Sequence, residues 1–457
     1  MAAFGGLNAV NKSYVSSVSF LDQREILNRL LNVTNEEYSF LDVMELMGRS
    51  IETAVPEYHT FVNSEIYEGA LTCASSSAVT VESSIGAGSG GTSTTIFTLA
   101  LASAPSTEEV RAGDLLMFPN GNVGYVKSIS SANLEIKSVG SALYSSAADL
   151  NGAKVVAFSN AAGEGSKSPS ARRLNPTKQS NQVQIFKEKY VITDIQNASK
   201  IEFEFKGQPY YFLKGQHEAL TRFRSDIAFA LMYGQKSDDK FTDASYGDVQ
   251  DAEGNPVQTT QGLHHSIVST SGRKITNSAA LGVTDWASLT KTLNQTRAPQ
   301  EYLLFTGTEG EVQIDNMLNN LTTAGFTGAR FDVSGKELDL GIDKFKLYGR
   351  TYMKKYLPMI DHKQVINFTG SAGLENFAYF VPNDSIKAAG SGESLDRMRV
   401  RYMAGNGTDL KYREIMLGGL APTPTDERSV LECHYESVQG LEVLGVEQFI
   451  AMDMYVA

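Results

Sequence analysis

Apolar residues recur at steps of three and four through residues 214–234. Leu220, Phe223, Ile227, Ala230 and Leu231 therefore share one face of a predicted helix. Glu218, Arg222 and Asp226 stand four apart on another face, where two opposite-charge pairs support it. Gly234 follows the last apolar position, where a C-terminal cap is expected. Phe229 and Met232 interrupt the polar face, so the second half of this helix is predicted to be covered on several sides.

The chain on either side is patterned differently. Residues 1–20 are small and polar and read as an extended arm. Ile26, Leu27, Leu30 and Leu31 mark a short helix after it. A second short helix carries Phe40, Leu41, Met44 and Met47, with Asn35 as its cap and Gly48 as its end. Two such helices cannot bury their faces alone, so this arm must lie on another part of the molecule or on another molecule. Between residues 63 and 171 charge thins to nine acidic and five basic residues, and alternating runs follow at 78–82, 94–100, 114–118, 123–129, 133–139 and 154–158. Turn-forming residues separate them, which predicts a small antiparallel barrel or sandwich. Residues 163–181 read as an exposed linker, 182–195 and 200–205 as strands, and 237–255 as an acidic surface loop.

Beyond residue 262 helices and strands mix. Strands are expected at 262–270, 301–306, 344–351, 364–368, 376–381, 413–417, 430–437 and 441–454. A helix is expected at 285–293 after Thr284, and another through Leu318 and Leu321, opened by a capping box from Thr308 to Glu311.

Composition narrows the function. A chain of 457 residues implies two or three structural units. A net charge of −12 argues against a protein that wraps nucleic acid. No apolar run reaches the ~18 residues of a membrane span, and residues 1–17 lack the pattern of a signal peptide. Cys73 and Cys433 cannot make a disulfide framework, so reduced thiols in a cytoplasm are expected.

The candidate motifs favour plain readings. Gly86-Ala87-Gly88-Ser89-Gly90-Gly91 matches G-x-G-x-x-G, but a β-branched run follows where a dinucleotide site needs a helix. His264 and His265 would point to opposite faces of a strand and share no metal, and His59, His217, His362 and His434 offer no ligand spacing. Cys433 lies in the alternation Leu431, Cys433, Tyr435, which suggests a small buried residue and not a nucleophile for His434. Asp238, Asp239, Asp243, Asp248, Asp251 and Glu253 lack the order of a calcium loop. No catalytic, cofactor-binding or metal residue is assigned, and no cofactor is expected.

Several segments, in order, resemble the major capsid protein of tailed bacteriophages, and more narrowly the crAss-like branch with an inserted β-rich domain. They are Val55-Pro56-Glu57-Tyr58-His59-Thr60-Phe61-Val62-Asn63, the run VRAGDLLMF at 110–118, the strands at 123–129 and 133–139, the Glu164-Gly165-Ser166 turn and Asn181-Gln182-Val183-Gln184-Ile185-Phe186. The central helix and the stretches 262–270 and 441–450 complete the set. The resemblance implies an α+β, Hong Kong 97-type capsid fold. It places an N-terminal arm at 1–60, and an extended hairpin (E-loop) region at 61–195 with the all-β insert at about 70–171. A peripheral domain would follow at 196–279 with spine helix 214–233, then an axial domain at 280–410 and return strands of the peripheral domain at 411–457.

The implied function is structural and non-enzymatic: self-assembly of hexamers and pentamers, through arm and E-loop contacts, into an icosahedral shell around double-stranded DNA. Portal, scaffolding and decoration proteins would be partners, the DNA would not be bound specifically, and no membrane would be involved. The protein would belong to the virion and be assembled in the host cytoplasm. An acidic wall would let packed DNA slide. The competing readings are a decoration or tail protein with a carbohydrate-binding β domain, an encapsulin-like cellular shell, and a hydrolase using Cys433 or the histidines.

Overall fold

The computed structural model describes residues 40–62, 70–76, 78–81, 96–106, 109–140, 147–171, 176–198, 211–237, 250–269, 273–276, 281–323, 344–362, 373–387, 392–419 and 427–454. The expected helix around Ile26, the cap at Asn35, and the strands at 200–205 and 364–368 lie outside these residues, as do the glycine-rich motif and most of the acidic loop. The chain forms two compact units, Met1–Thr60 with Ser180–Ala457, and Phe61–Gln179. The class is α+β.

In the larger unit the described helices are α1 (Phe40–Leu46), α2 (Asp194–Ala198), α3 (Tyr211–Tyr233), α4 (Leu263–Val268), α5 (Val283–Gln295) and α6 (Thr308–Thr323). α3 begins three residues earlier than the pattern marked. Gly215 weakens helix propensity near that end, but there α3 passes the Tyr190 ring so closely that a Cβ would collide with it. Ile227, Ala228, Leu231 and Met232 are fully buried, as the loss of a polar face in this half implied.

One sheet packs its inner face on α3. Its spine is the long strand Val430–Val443, flanked on one side by Gln184–Thr193 and on the other by Met398–Gly405 and Arg413–Leu417, all antiparallel to it. Ser50–Thr53 then pairs parallel with Met398–Gly405. Odd-numbered residues of the long strand, Cys433, Tyr435 and Leu441, join the apolar cluster around α3, so even-numbered ones face outward.

The second sheet runs in the order Lys274–Thr276, Ile450–Asp453, Phe377–Pro382, Glu301–Thr306, Arg350–Tyr356, Lys344–Leu347. All six residues of Phe377–Pro382 are buried. Phe377, Tyr379 and Val381 enter the α3 cluster. Ala378 and Phe380 enter a separate one with Trp286 and Leu289 of α5 and Ile314 and Met317 of α6. The two clusters lie on opposite faces of the strand, which explains its unbroken apolar run.

Several sequence expectations are corrected. The stretch 262–270 is not a strand but contains α4, because its apolar positions Leu263 and Ile267 are four apart and bury one helical face. α5 is capped by Asp285, which accepts the Gly282 N–H at 2.9 Å, and not by Thr284. The Thr308 to Glu311 box does not form: Asp361 accepts both the Thr308 N–H (2.7 Å) and its hydroxyl (2.6 Å). Residues 344–351 turn within themselves, since Tyr348 and Gly349 both have positive φ (48° and 80°) and close a two-residue hairpin. The expected strand at 441–454 is broken at Gly445 (φ 68°) and by a 3-10 turn, Val446–Gln448. Met398–Gly405 joins the sheet of α3, whereas Lys274–Thr276 and Ile450–Asp453 join the second sheet.

The smaller unit is one antiparallel sheet in the order Leu71–Thr72, Lys154–Asn160, Asp114–Met117, Val123–Ser130, Asn133–Ser138, Ile96–Ala100, Val79–Val81. Cys73 bridges Leu101, which follows the strand Ile96–Ala100, so the sheet curls back on itself. Phe97, Phe118, Leu116, Val126, Leu134, Ile136 and Val155 fill its inside.

Candidate functional site

Neither cysteine suits a nucleophile. Cys433 is fully buried against α3, and burial pushes its thiol up to about 11; Cys73 is buried in the smaller unit and likewise raised to about 11. Adjacent His434 points to the other side of the strand, where its Nε2 lies 3.2 Å from a Glu432 carboxylate oxygen. His264 and His265 sit together on α4 with ring centroids 5.3 Å apart, not on opposite strand faces. His264 Nδ1 is 2.9 Å from the Tyr379 hydroxyl, and burial, helped by His265 and Lys274, lowers its pKa to about 4. It is a neutral core residue. Asp251 accepts the backbone N–H groups of Glu253 (2.9 Å) and Asn255 (2.8 Å), so its carboxylate closes a turn. Among the described residues no group of three His, Cys, Asp or Glu is placed to hold a metal. No described helix is long and apolar enough to cross a membrane.

Two ionic groups lie on the outer face of the first sheet. At one end Glu442 accepts hydrogen bonds from Arg399 Nε, from Arg401 (2.8 Å) and from the Thr60 hydroxyl (3.2 Å). Burial pushes this carboxyl up, and the two guanidinium groups more than offset that, leaving it below its ordinary value. Residues 57–60 and 180–182 roof this end. The Tyr58 hydroxyl donates to the Leu441 carbonyl (2.7 Å), and the Asn181 amide donates to the same oxygen (2.6 Å). The Gln182 amide reaches Thr259 (2.9 Å), and Tyr58, Val183 and Val438 form a small apolar cluster. Gly440 is where the roof comes closest: a Cβ there would stand 2.7 Å from the Gln182 carbonyl oxygen.

The other end of the same face is open at its cations, although the Glu432 side chain itself is only 9% exposed. Glu432 lies 2.8 Å from Lys189 Nζ and 3.6 Å from Arg428, besides His434. Lys189 and His434 reach it from paired positions on adjacent strands.

A third polar group fixes the arm. α1 buries Phe40, Leu41 and Met44 completely beside α3, with the Phe40 ring edge-on to Phe305. Arg224 of α3 donates to Asp42 (2.7 Å) and Glu45 (3.0 Å), and the Tyr412 hydroxyl donates to Glu45 (3.1 Å). The second arm helix therefore lies on its own chain. None of these ionic groups emerged from the sequence. The one available signal was the alternation Arg397, Arg399, Arg401 within a run that ends at Asn406-Gly407, a hairpin dipeptide.

Among the described residues, then, the thiols are buried, His264 is a neutral core histidine, and the ionic groups named here join separate segments. Residues 14–352 match the family model of the SU10 major capsid protein, and the chain belongs to that family. It is a capsid shell protein, present in many copies and part of the virion. No curated protein matches it. Among solved structures it is similar to one from Microbacterium phage Oxtober96, with 10% identity, a TM-score of 0.41, and 96% of this chain and 98% of that one covered. A structure from Mycobacterium phage Bobi gives 10% identity, a TM-score of 0.40, and 96% and 97% coverage. The Cyanophage Pam1 capsid asymmetric unit gives 12% identity, a TM-score of 0.36, and 64% and 81% coverage. These likenesses are distant, and the assignment rests on the family match, which reaches into the arm to residue 14.

Proposed function

We propose that this chain is the non-enzymatic, Hong Kong 97-type subunit of an icosahedral shell enclosing the double-stranded DNA of a tailed phage. In this reading α3 is the spine helix of the peripheral domain, the second sheet with α5 and α6 is the axial domain, and the smaller unit is the insert of the extended hairpin. Subunits join as hexamers and pentamers through arm and hairpin contacts in the host cytoplasm, with portal, scaffolding and decoration proteins as further partners. The net charge of −12 suits a wall along which packed DNA moves without adhering.

The observation that carries this reading is the family match over residues 14–352. The docking of α1 by three buried apolar residues and the Arg224 ion pairs supports it, because this end of the arm region is held firmly on the larger unit. Electron microscopy and light scattering of the purified full chain test the proposal. Closed particles of uniform size are expected; a stable monomer under every assembly condition overturns it.

A further inference from the structure

The outside of the smaller unit carries an apolar row across four neighbouring strands. Val156 pairs with Met117, Met117 pairs with Val123, and the Val139 N–H donates to the Val123 carbonyl at 3.0 Å. Their chain neighbours Val155, Leu116, Phe118 and Ser138 are buried inside, so strand alternation turns the row outward. Val156 is 40% exposed, Met117 41%, Phe158 48% and Val139 59%. At the usual spacing of about 4.8 Å between strands, the row runs roughly 14 Å. A continuous apolar patch of this kind on a folded domain marks a contact surface.

Charge indicates the partner. Exposed Lys154 precedes Val156 by two positions on the same side, and exposed Lys137 pairs across from Tyr125 in the next row. Residues 61–179 hold nine acidic and eight basic side chains, so all but one unit of the net charge of −12 lies in the rest of the chain. A lysine-rimmed apolar face on a nearly neutral unit complements the acidic larger unit of this same protein.

We propose that this face docks on the larger unit of a second copy of the chain, covering the row from Val156 to Val139 and setting Lys137 and Lys154 against that copy's carboxylates. The proposal rests on the shell reading above, which surrounds every subunit with other copies. The test places a thiol on the face, in the full chain, by Val139→Cys. The native Cys73 and Cys433 are buried and stay silent to a maleimide probe. Ser168→Cys, also exposed in the smaller unit, reports what assembly does to labelling in general.

In shells assembled from the purified chain alone, labelling at position 139 is expected to slow by about an order of magnitude relative to free subunits, and by more than at position 168. A Lys137→Glu, Lys154→Glu double variant is expected to need a higher subunit concentration for assembly, by about ten-fold at low salt. Shells that leave position 139 as reactive as in free subunits, or that assemble from the double variant at an unchanged concentration, overturn the docking and leave the shell reading standing. A chain that never forms particles overturns both.

Discussion

Glu442 and Glu432 stand near opposite ends of the strand Val430–Val443, on the same side of the sheet, and each holds basic partners. Glu442 is 4% exposed, with Arg399 and Arg401 also largely covered and Tyr58 and Thr60 above them. Glu432 is itself only 9% exposed, but it meets Lys189 and Arg428, which are 47% and 67% exposed. Both carboxyls are held below their ordinary value, the first by its two arginines against burial and the second chiefly by Lys189. The charges are alike and the surroundings are not, and the surroundings decide the energy. Under the roof, losing the carboxylate leaves covered guanidinium groups in a poor solvent; at the open end water solvates the cations that are left.

The largest effect removes the ground on which both ends stand. Ile227 is fully buried on α3, against the inner face of the same sheet. Ile227→Asp buries an unpaired carboxylate there and is expected to cost more than about 4 kcal/mol, enough to lose the fold. Circular dichroism and size-exclusion chromatography would show it. A soluble, folded Ile227→Asp protein would mean that α3 does not organise this unit, and the comparison of the two ends would lose its common base.

Next comes the roofed end itself. Glu442→Gln strands two guanidinium groups with no anion, and a loss of about 3–5 kcal/mol is expected in denaturant titration. Because the folded value is depressed, the stabilisation is complete above the ordinary value of 4.5 and is lost as pH falls through the lower folded value. His264, whose pKa is lowered from 6.5 to about 4, costs stability over that higher range in either protein. The Glu442 contribution is therefore the difference between wild type and Glu442→Gln, and the two curves should converge in acid.

What the sequence disclosed follows from periodicity. α3, six of the strands in the smaller unit and the strands Glu301–Thr306 and Arg413–Leu417 were legible because each has one wet and one dry side, or a short apolar run between turns. The strand Met398–Gly405 stays unassigned from sequence, since the place of its outward arginines shows only when Glu442 is set beside them. The helical identity of Leu263–Val268 was hidden because six residues hold too few turns to display a period. Beyond the alternation of Arg397, Arg399 and Arg401, nothing announced the two ionic ends: Arg399 meets Glu442, and Lys189 meets Glu432, only through strand register. The identity of the protein, by contrast, was carried by the order of weak segments, which survives where no single motif does.

A smaller effect asks how rigid the roof is. The Cβ of Gly440→Ala would sit 2.7 Å from the Gln182 carbonyl oxygen and 3.0 Å from the Tyr58 hydroxyl. Backbone must move to admit it, and a cost of about 1–3 kcal/mol is expected from crowding. Faster limited proteolysis between residues 57 and 62 should accompany the loss. An unchanged midpoint would mean that the roof lifts freely, and that the burial of Glu442 is worth less than its geometry suggests.

The least effect is expected at the open end, and it decides whether the contrast is real. Glu432→Gln removes the centre of three contacts, from Lys189, Arg428 and His434. The cations Lys189 and Arg428 already share their charge with water, so the loss in isolated subunits should stay below about 1 kcal/mol. It should also fade in about 1 M salt, where the screening length shrinks to roughly 3 Å. Neither statement holds for Glu442, whose partners salt does not reach. Denaturation midpoints of both glutamine variants, at low and high salt, give four numbers. If Glu432→Gln costs as much as Glu442→Gln and resists salt equally, exposure is not what separates the two ends, and the cause must be sought in the cations themselves.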